Sequence, residues 1–273
     1  MNKTKIEWTD FTWNPITGCL GPNGDGVRCS YCYANKLANG RLKPLYLSHS
    51  HPLTGDTQDP FAPRFWVDRL EEPTHLKKPA KIFVCDMGEL LGNWVPRVIK
   101  NDIFAIIKRC PWHTFQLLTK QDQNLHKFSP YPDNCWVGVS VEGRDLGRPI
   151  YFLNQIKATV KFISFEPLLY PVTQVNLIQR LNWVILGGKS GRDPFYPPIE
   201  WINEIELKTR TADIPIFEKN NLFPPNQRYL MKREFPAIGV AAPILDPRLQ
   251  HNAKERREAR LKYAGKEGKE DGL

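Results

Sequence analysis

Seven short runs of apolar, β-branched and aromatic residues, separated by stretches of a different periodicity, restrict the fold more than any other feature. The runs are KIEWTDFTWNP (5–15), KIFVCDM (81–87), HTFQLLTK (113–120), CWVGVSVE (135–142), VKFISFEP (160–167), LNWVILGG (181–188) and IPIFEKN (214–220). Several are almost continuously apolar in their central part, as strands covered on both faces are. Between them, Val95, Val98, Ile99, Ile103, Ile106 and Ile107 fall near the three-and-four spacing of one helical face. Ile150, Leu153 and Ile156 repeat the pattern, as do Ile199, Ile202 and Ile205, and weaker helical stretches cover 28–40, 120–130 and 173–180. Such alternation predicts an α/β chain with a parallel sheet and right-handed crossovers. Periodicity leaves two sheets open, a doubly wound one and a partial or complete (β/α) barrel.

Two regions interrupt the alternation. Residues 41–80 carry six prolines (Pro44, Pro52, Pro60, Pro63, Pro73, Pro79) and read as an insertion after the first strand–helix unit, draped over the core or covering a site. Residues 221–248 are again Pro-rich and lead into a basic tail. The expected organisation is a domain over 1–220, insertion included, and an extension over 221–273. Net charge is +9, and residues 248–270 hold eight Lys or Arg against four Glu, so 8 − 4 = +4 lies in that tail. A tail of this kind attracts phosphate backbones or another acidic partner; the competing expectation is a solvated, partly helical end. With 41% hydrophobic and 25% charged residues the composition is that of a soluble globular chain, not a disordered or collagen-like one. No run approaches 18 apolar residues, and the N-terminal MNKTKIEW lacks an apolar signal core, so the expectation is a cytoplasmic protein without a membrane partner.

In parallel strand–helix proteins the chemistry sits at the carboxyl ends of strands and in the loops just after them. Those positions are polar throughout: Asn14, Thr17 and Cys19; Asp86 and Glu89; Thr119 and Lys120; Ser140 and Glu142; Ser164 and Glu166; Gly187, Gly188, Lys189, Ser190 and Gly191; Glu218 and Lys219. Loops are polar because they are wet, which explains any one of these positions but less easily the whole set.

Cys19, Cys29 and Cys32 form a Cys-x9-Cys-x2-Cys cluster, whereas Cys85, Cys110 and Cys135 stand alone and read as small buried hydrophobes. In a reducing compartment a tight thiol cluster points to metal rather than to disulfides. Three thiolates satisfy three irons of a 4Fe–4S cube and leave the fourth open. The alternative is zinc, with His49 or His51 completing a Cys3His site. The cluster follows the first strand and opens a helix, a position that favours a catalytic cofactor over a structural ion.

A first-strand loop with three cysteines, the last preceded by Tyr31, looks like the radical S-adenosylmethionine (SAM) superfamily. IEWTDFTWNPITGC, CSYCYA, FVCDMGELL, FQLLTK, WVGVSVE, FISFEPLL and WVILGGKSG, in order from about residue 5 to 220, resemble a phage-associated protein family of unknown function related to radical SAM enzymes. The resemblance implies a partial or complete (β/α) barrel of the radical SAM type, a relative of the TIM barrel. It also implies a 4Fe–4S cluster on Cys19, Cys29 and Cys32, and SAM chelating the open iron. Glu89, with Asp86 second, would hold the SAM amino group in place of the superfamily's Gly-Gly-Glu segment. Ser140 and Glu142 would meet the ribose or methionine carboxylate, Glu166 joins the cofactor contacts, and Gly187, Gly188 and Gly191 would admit adenine or phosphate to the backbone. The superfamily's usual spacing is Cys-x3-Cys-x2-Cys, so the first gap here requires a looped-out segment. The implied activity is reductive cleavage of SAM to a 5′-deoxyadenosyl radical, fed by an electron donor such as flavodoxin or ferredoxin. Base or nucleotide modification is the leading expectation for the substrate; Trp13, Phe61, Phe65 and Trp66 are candidate walls or lid of the pocket, with plain core packing the favoured reading for any single one of them. The alternative is a zinc- or cluster-stabilised nucleic-acid-binding protein without catalysis.

Overall fold

Each of the seven apolar runs contains a strand in a computed structural model that describes residues 1–48, 52–226 and 230–237. An eighth strand, β1 (Asn2–Lys3), pairs antiparallel with β2 (Phe11–Trp13). The parallel strands continue as β3 (Lys81–Val84), β4 (Thr114–Thr119), β5 (Cys135–Val141), β6 (Val160–Phe165), β7 (Trp183–Leu186) and β8 (Ile216–Glu218). They pair strictly in chain order from β1 to β8. The helices are α1 (Tyr33–Asn39), α2 (Lys43–Ser48), α3 (Glu72–His75), α4 (Arg97–Arg109), α5 (Gly147–Asn154) and α6 (Ile199–Thr211). The weak helical patterns at 120–130 and 173–180 become 3-10 turns, Asp122–Phe128 and Val175–Arg180. No described helix is long and apolar enough to cross a membrane.

The period of two along each strand sorts the core into two faces. Ile82 and Val84, Phe115 and Leu117, Val137 and Val139, and Val184 and Leu186 join Ile103, Ile107, Ile150, Leu153, Ile202 and Ile205 of α4, α5 and α6 in one cluster. The intervening Phe83, Trp136, Phe162, Trp183, Ile185 and Phe217 pack with Trp8 in a second cluster that holds no helical residue. The helices that pack on this sheet therefore cover one face only. A doubly wound sheet reverses its strand order and carries helices on both faces; this one does neither. Among the described residues no ladder joins β8 back to β1 or β2.

The helix-free face is filled with aromatic rings. Trp183 lies 5.5 Å from Trp136, 5.3 Å from Phe162 and 5.4 Å from Phe235, centroid to centroid. Gly138 of β5 is the gap that lets Phe162 lie flat against the sheet: a Cβ there would come within 2.4 Å of the ring. Phe235 arrives on the segment 230–237, which returns along β8: Glu218 N–H donates to Lys232 O (2.9 Å), Glu234 N–H to Ile216 O (3.0 Å), and Trp183 Nε1 to Glu234 O (2.9 Å). Residues 230–237 of the Pro-rich extension therefore lie against the edge of the sheet. The basic tail at 248–270 lies outside the described residues.

The insertion over 41–80 is partly built into the fold. Arg64–Phe65 pairs antiparallel with Ile16–Thr17, and the buried Arg64 guanidinium gathers the carbonyls of Asp59 (2.9 Å) and Ala62 (2.8 Å) around itself. Tyr46, Phe61 and Trp66 pack with Ala34, Ala38 and Met87 as a third apolar cluster.

Two stability predictions follow from this packing. Gly138→Ala drives a methyl into the Phe162 ring and is expected to cost about 1–3 kcal/mol, read from urea unfolding; an unchanged midpoint would contradict the tight approach. At the β8 edge, burial and the neighbouring Glu206 carboxylate push the Glu218 carboxyl up from its ordinary 4.5 to about 7. The unfolded chain releases that proton first, so this group subtracts stability as pH rises between those values. Glu218→Gln should therefore gain on the wild type between about pH 4 and about pH 8, and a difference constant with pH would refute the assignment.

Candidate functional site

The carboxyl ends of the parallel strands open on one cavity of about 450 Å³. Ile6, Trp8, Phe83 and Leu118 give it an apolar wall continuous with the aromatic interior. Of the eleven residues given a metal or cofactor role from the sequence, Cys19, Cys29, Cys32, Asp86, Glu89, Ser140, Glu166 and Gly188 line this cavity, whereas Glu142, Gly187 and Gly191 do not.

The three cysteines are free thiols carried by a loop that is pinned at several points. Gly26 N–H donates to Leu20 O (2.8 Å), closing the nine-residue gap as a compact turn. Arg28 Nε donates to Cys19 O (2.9 Å), its guanidinium pairs with Asp59, and it lies over the Phe61 ring at 5.3 Å. From across the cavity, Gln121 Nε2 donates to Gly21 O (3.1 Å) and Pro22 O (2.5 Å), tying the loop to the end of β4. The sulfurs are themselves accepted into the backbone: Gly21 N–H donates to Cys19 Sγ (3.1 Å) and Asn35 N–H to Cys32 Sγ (3.3 Å), the latter capping α1. Burial, and secondarily the Glu89 carboxylate, push the Cys19 thiol up to about 12, and burial raises Cys32 as well. Both are protonated at neutral pH, so a bound cation must displace their protons to hold them as thiolates. Among the described residues no three His, Cys, Asp or Glu side chains converge closely enough to hold a single metal ion. His49 and His51, the sequence candidates for a fourth zinc ligand, lie outside the described residues.

The acids opposite the cysteines serve the loops as well as the cavity. Glu89 accepts from Thr119 Oγ1 (2.7 Å) and Leu91 N–H (3.0 Å) on one oxygen and from Lys120 N–H (3.1 Å) on the other, so it clamps the β4 loop to the β3 loop. Asp86 accepts from Asn14 Nδ2 (2.6 Å), while Tyr33 donates its hydroxyl to Asp86 O (2.6 Å). Burial pushes both carboxyls above the ordinary range.

Glu166 is the hub of the opposite wall. Ser164 Oγ donates to its Oε2 (2.8 Å), Trp8 Nε1 reaches the same oxygen (3.3 Å), and Lys219 pairs with its Oε1. Ser140 donates to Glu166 O at 3.3 Å. Glu142 sits behind the cavity wall, accepting the Tyr31 hydroxyl and lying 3.9 Å from Lys120 Nζ, so it places two cavity residues instead of lining the cavity itself. The glycine segment satisfies the chain's own packing: a Cβ at Gly188 would fall 2.4 Å from Asn221 O and 2.7 Å from Phe195 O. Of the four aromatics weighed as walls, only Phe61 lines the cavity. Trp13 packs on Phe115 and bonds Arg69 O (2.8 Å), Trp66 donates to Thr17 Oγ1 (2.8 Å), and Phe65 packs on the helix-side core.

Arg28, Gln121 and Tyr33 are site residues that carried no signal of their own in the sequence. Arg28 stands beside Cys29 and Gln121 follows the third strand end, so position alone marked them. The loop contacts make a direct prediction. Gln121→Ala removes two hydrogen bonds and is expected to speed amide exchange at Gly24 and Gly26 about tenfold; unchanged protection would remove Gln121 from the clamp.

No curated protein matches the chain, and no solved structure matches it. A family model described as "Protein of unknown function (DUF5131)" matches residues 3–258, and the chain belongs to that family.

Proposed function

We propose that this protein is an iron–sulfur, SAM-dependent radical enzyme built on a partial barrel of the radical SAM type. The observation that carries the proposal is the meeting of three free thiols, on one pinned loop, with polar side chains from six other strand ends around a single cavity. Chain-order parallel strands with helices on one face are the arrangement from which a (β/α) barrel is rolled, which supports the same fold. The donor set fits the cofactor: soft thiolates suit iron–sulfur clusters, and in a cube each thiolate takes its own iron, so the three need not converge on one point as ligands of a single ion must.

Cys19, Cys29 and Cys32 would hold the cluster, with the Gly21 and Asn35 amides donating to two of the sulfurs and favouring their charged form. Glu89 and Asp86 are the acceptors for the SAM ammonium, each also holding protein groups: Thr119, Leu91 and Lys120 on Glu89, Asn14 and Tyr33 on Asp86. Lys120, Lys189 and Lys219 line the same cavity and offer cations to an anionic substrate, in keeping with a nucleotide or nucleic-acid base as the group modified. Trp8, Ile6, Phe83 and Leu118 exclude water and stray hydrogen donors from that end. What the cofactor pair supplies when bound is one electron for breaking the SAM carbon–sulfur bond, and so a 5′-deoxyadenosyl radical for hydrogen abstraction.

Anaerobic reconstitution tests the proposal. The expected product is brown protein absorbing near about 400 nm, with about four irons and about four sulfides per chain, that forms 5′-deoxyadenosine on reduction with SAM. Cys32→Ala should lose both colour and turnover. Colourless protein with about one zinc per chain and no SAM cleavage would overturn the proposal in favour of a non-catalytic nucleic-acid binder.

A further inference from the structure

The chain that leaves the cysteine loop carries charge of one sign. From Gly26 to Gly55 it holds Arg28, Lys36, Arg41 and Lys43 and not one Asp or Glu, where 29 acids in 273 residues would place about three. Arg28 pairs with Asp59. Lys36, Arg41 and Lys43 are exposed and, among the described residues, meet no carboxylate. Helix geometry sets this face outward. Ala34 and Ala38 turn α1 onto Tyr46, Phe61, Trp66 and Met87, so Tyr33 and Lys36, three apart on the other side, face solvent. Tyr33 is 49% exposed although it lines the cysteine cavity and donates its hydroxyl to Asp86 O (2.6 Å). A ring tethered at its hydroxyl and left half-bare at the mouth of a cavity can serve as a stacking platform.

Unpaired cations beside a fixed aromatic ring ask for a partner with both a charged backbone and flat groups. A carboxylate-rich protein would satisfy the cations but brings no base to lay on the ring. A duplex keeps its bases stacked on one another and shows only their edges in its grooves. We propose that the α1–α2 face binds a single-stranded nucleic acid, its phosphates on Lys36, Arg41 and Lys43 and one base on the Tyr33 ring at the cavity mouth. The face thereby names a polynucleotide, not a free nucleotide, as the substrate class of the reaction proposed above. It rests on that reading for its purpose, but the binding itself needs neither cluster nor SAM.

Fluorescence anisotropy of the full chain with labelled oligothymidylate and oligouridylate of about 20 nucleotides, without SAM or reductant, tests the proposal. Saturable binding of at least one of the two is expected, weakening as salt rises. Lys36→Gln, Arg41→Gln and Lys43→Gln together change only exposed side chains and should fold as the wild type does. They should lower the slope of log affinity against log salt by about 2, three phosphate contacts at about 0.7 each. Tyr33→Ala should weaken binding about tenfold, and Tyr33→Phe, which keeps the ring, should recover most of that loss. Every variant retains the basic residues of 248–270, so binding through those alone would leave the triple variant unchanged and overturn the proposal. It is also overturned if neither oligonucleotide binds, or if a duplex of the same length binds as tightly as the single strand. Polyglutamate displacing the label as well as unlabelled oligonucleotide does would overturn it in favour of an acidic protein. 5′-Deoxyadenosine formation is read separately: its failure with binding intact removes the radical chemistry alone, and its success without binding removes only this face.

Discussion

Seven strands that pair in parallel and in chain order send every connection over the same face of the sheet. From that constraint the rest of the molecule follows. Right-handed crossovers cannot alternate sides without a reversal in strand order, and none occurs. The helices α4, α5 and α6 therefore share one apolar layer, and the opposite face must be buried by something else. Large rings do this, with Trp8, Trp136, Trp183 and Phe217 on the sheet and Phe235 brought back by the chain after β8. Each such ring removes enough apolar surface from water to contribute on the order of 2–3 kcal/mol, so the interior is held largely by a handful of side chains.

The same pairing brings all the strand ends to one rim. A loop after β2 reaches the loop after β4 through Gln121, and the loop after β3 reaches it through Glu89. These clamps account for the polar density of the rim without any ligand. They also hold three thiols, the Lys219–Glu166 pair and an apolar wall around one void. Several residues thus have two employments, since a carboxylate that orders two loops is also a carboxylate facing the cavity.

Much of the fold was legible in the sequence. All seven apolar runs contain a strand, and the isoleucine spacings over 95–110, 147–156 and 199–211 mark the three helices that build the helix-side core. Eight of the eleven residues given a metal or cofactor role from the sequence line the cavity. The three that do not lie within a residue or two of ones that do. Most of the aromatics weighed as pocket walls take the competing place, in the packed layers. Trp13 and Trp66 each find a hydrogen-bond acceptor for the indole N–H inside the packed layers, and a buried tryptophan so satisfied has no reason to face a void.

The linear order of residues was enough for whatever depends on near neighbours: where strands and helices form, where polar residues end them, and how closely three thiols can approach along one loop. Periodicity, turn composition and chain length act over a few residues, so they are written locally. The order of the strands, the choice between two sheet types, and the partners of the charged side chains were decided only by packing. Tyr31 meets Glu142 across 111 residues and Lys219 meets Glu166 across 53. Such pairs depend on register and on how the sheet lies against its helices, quantities that a residue's immediate neighbours in the chain do not contain.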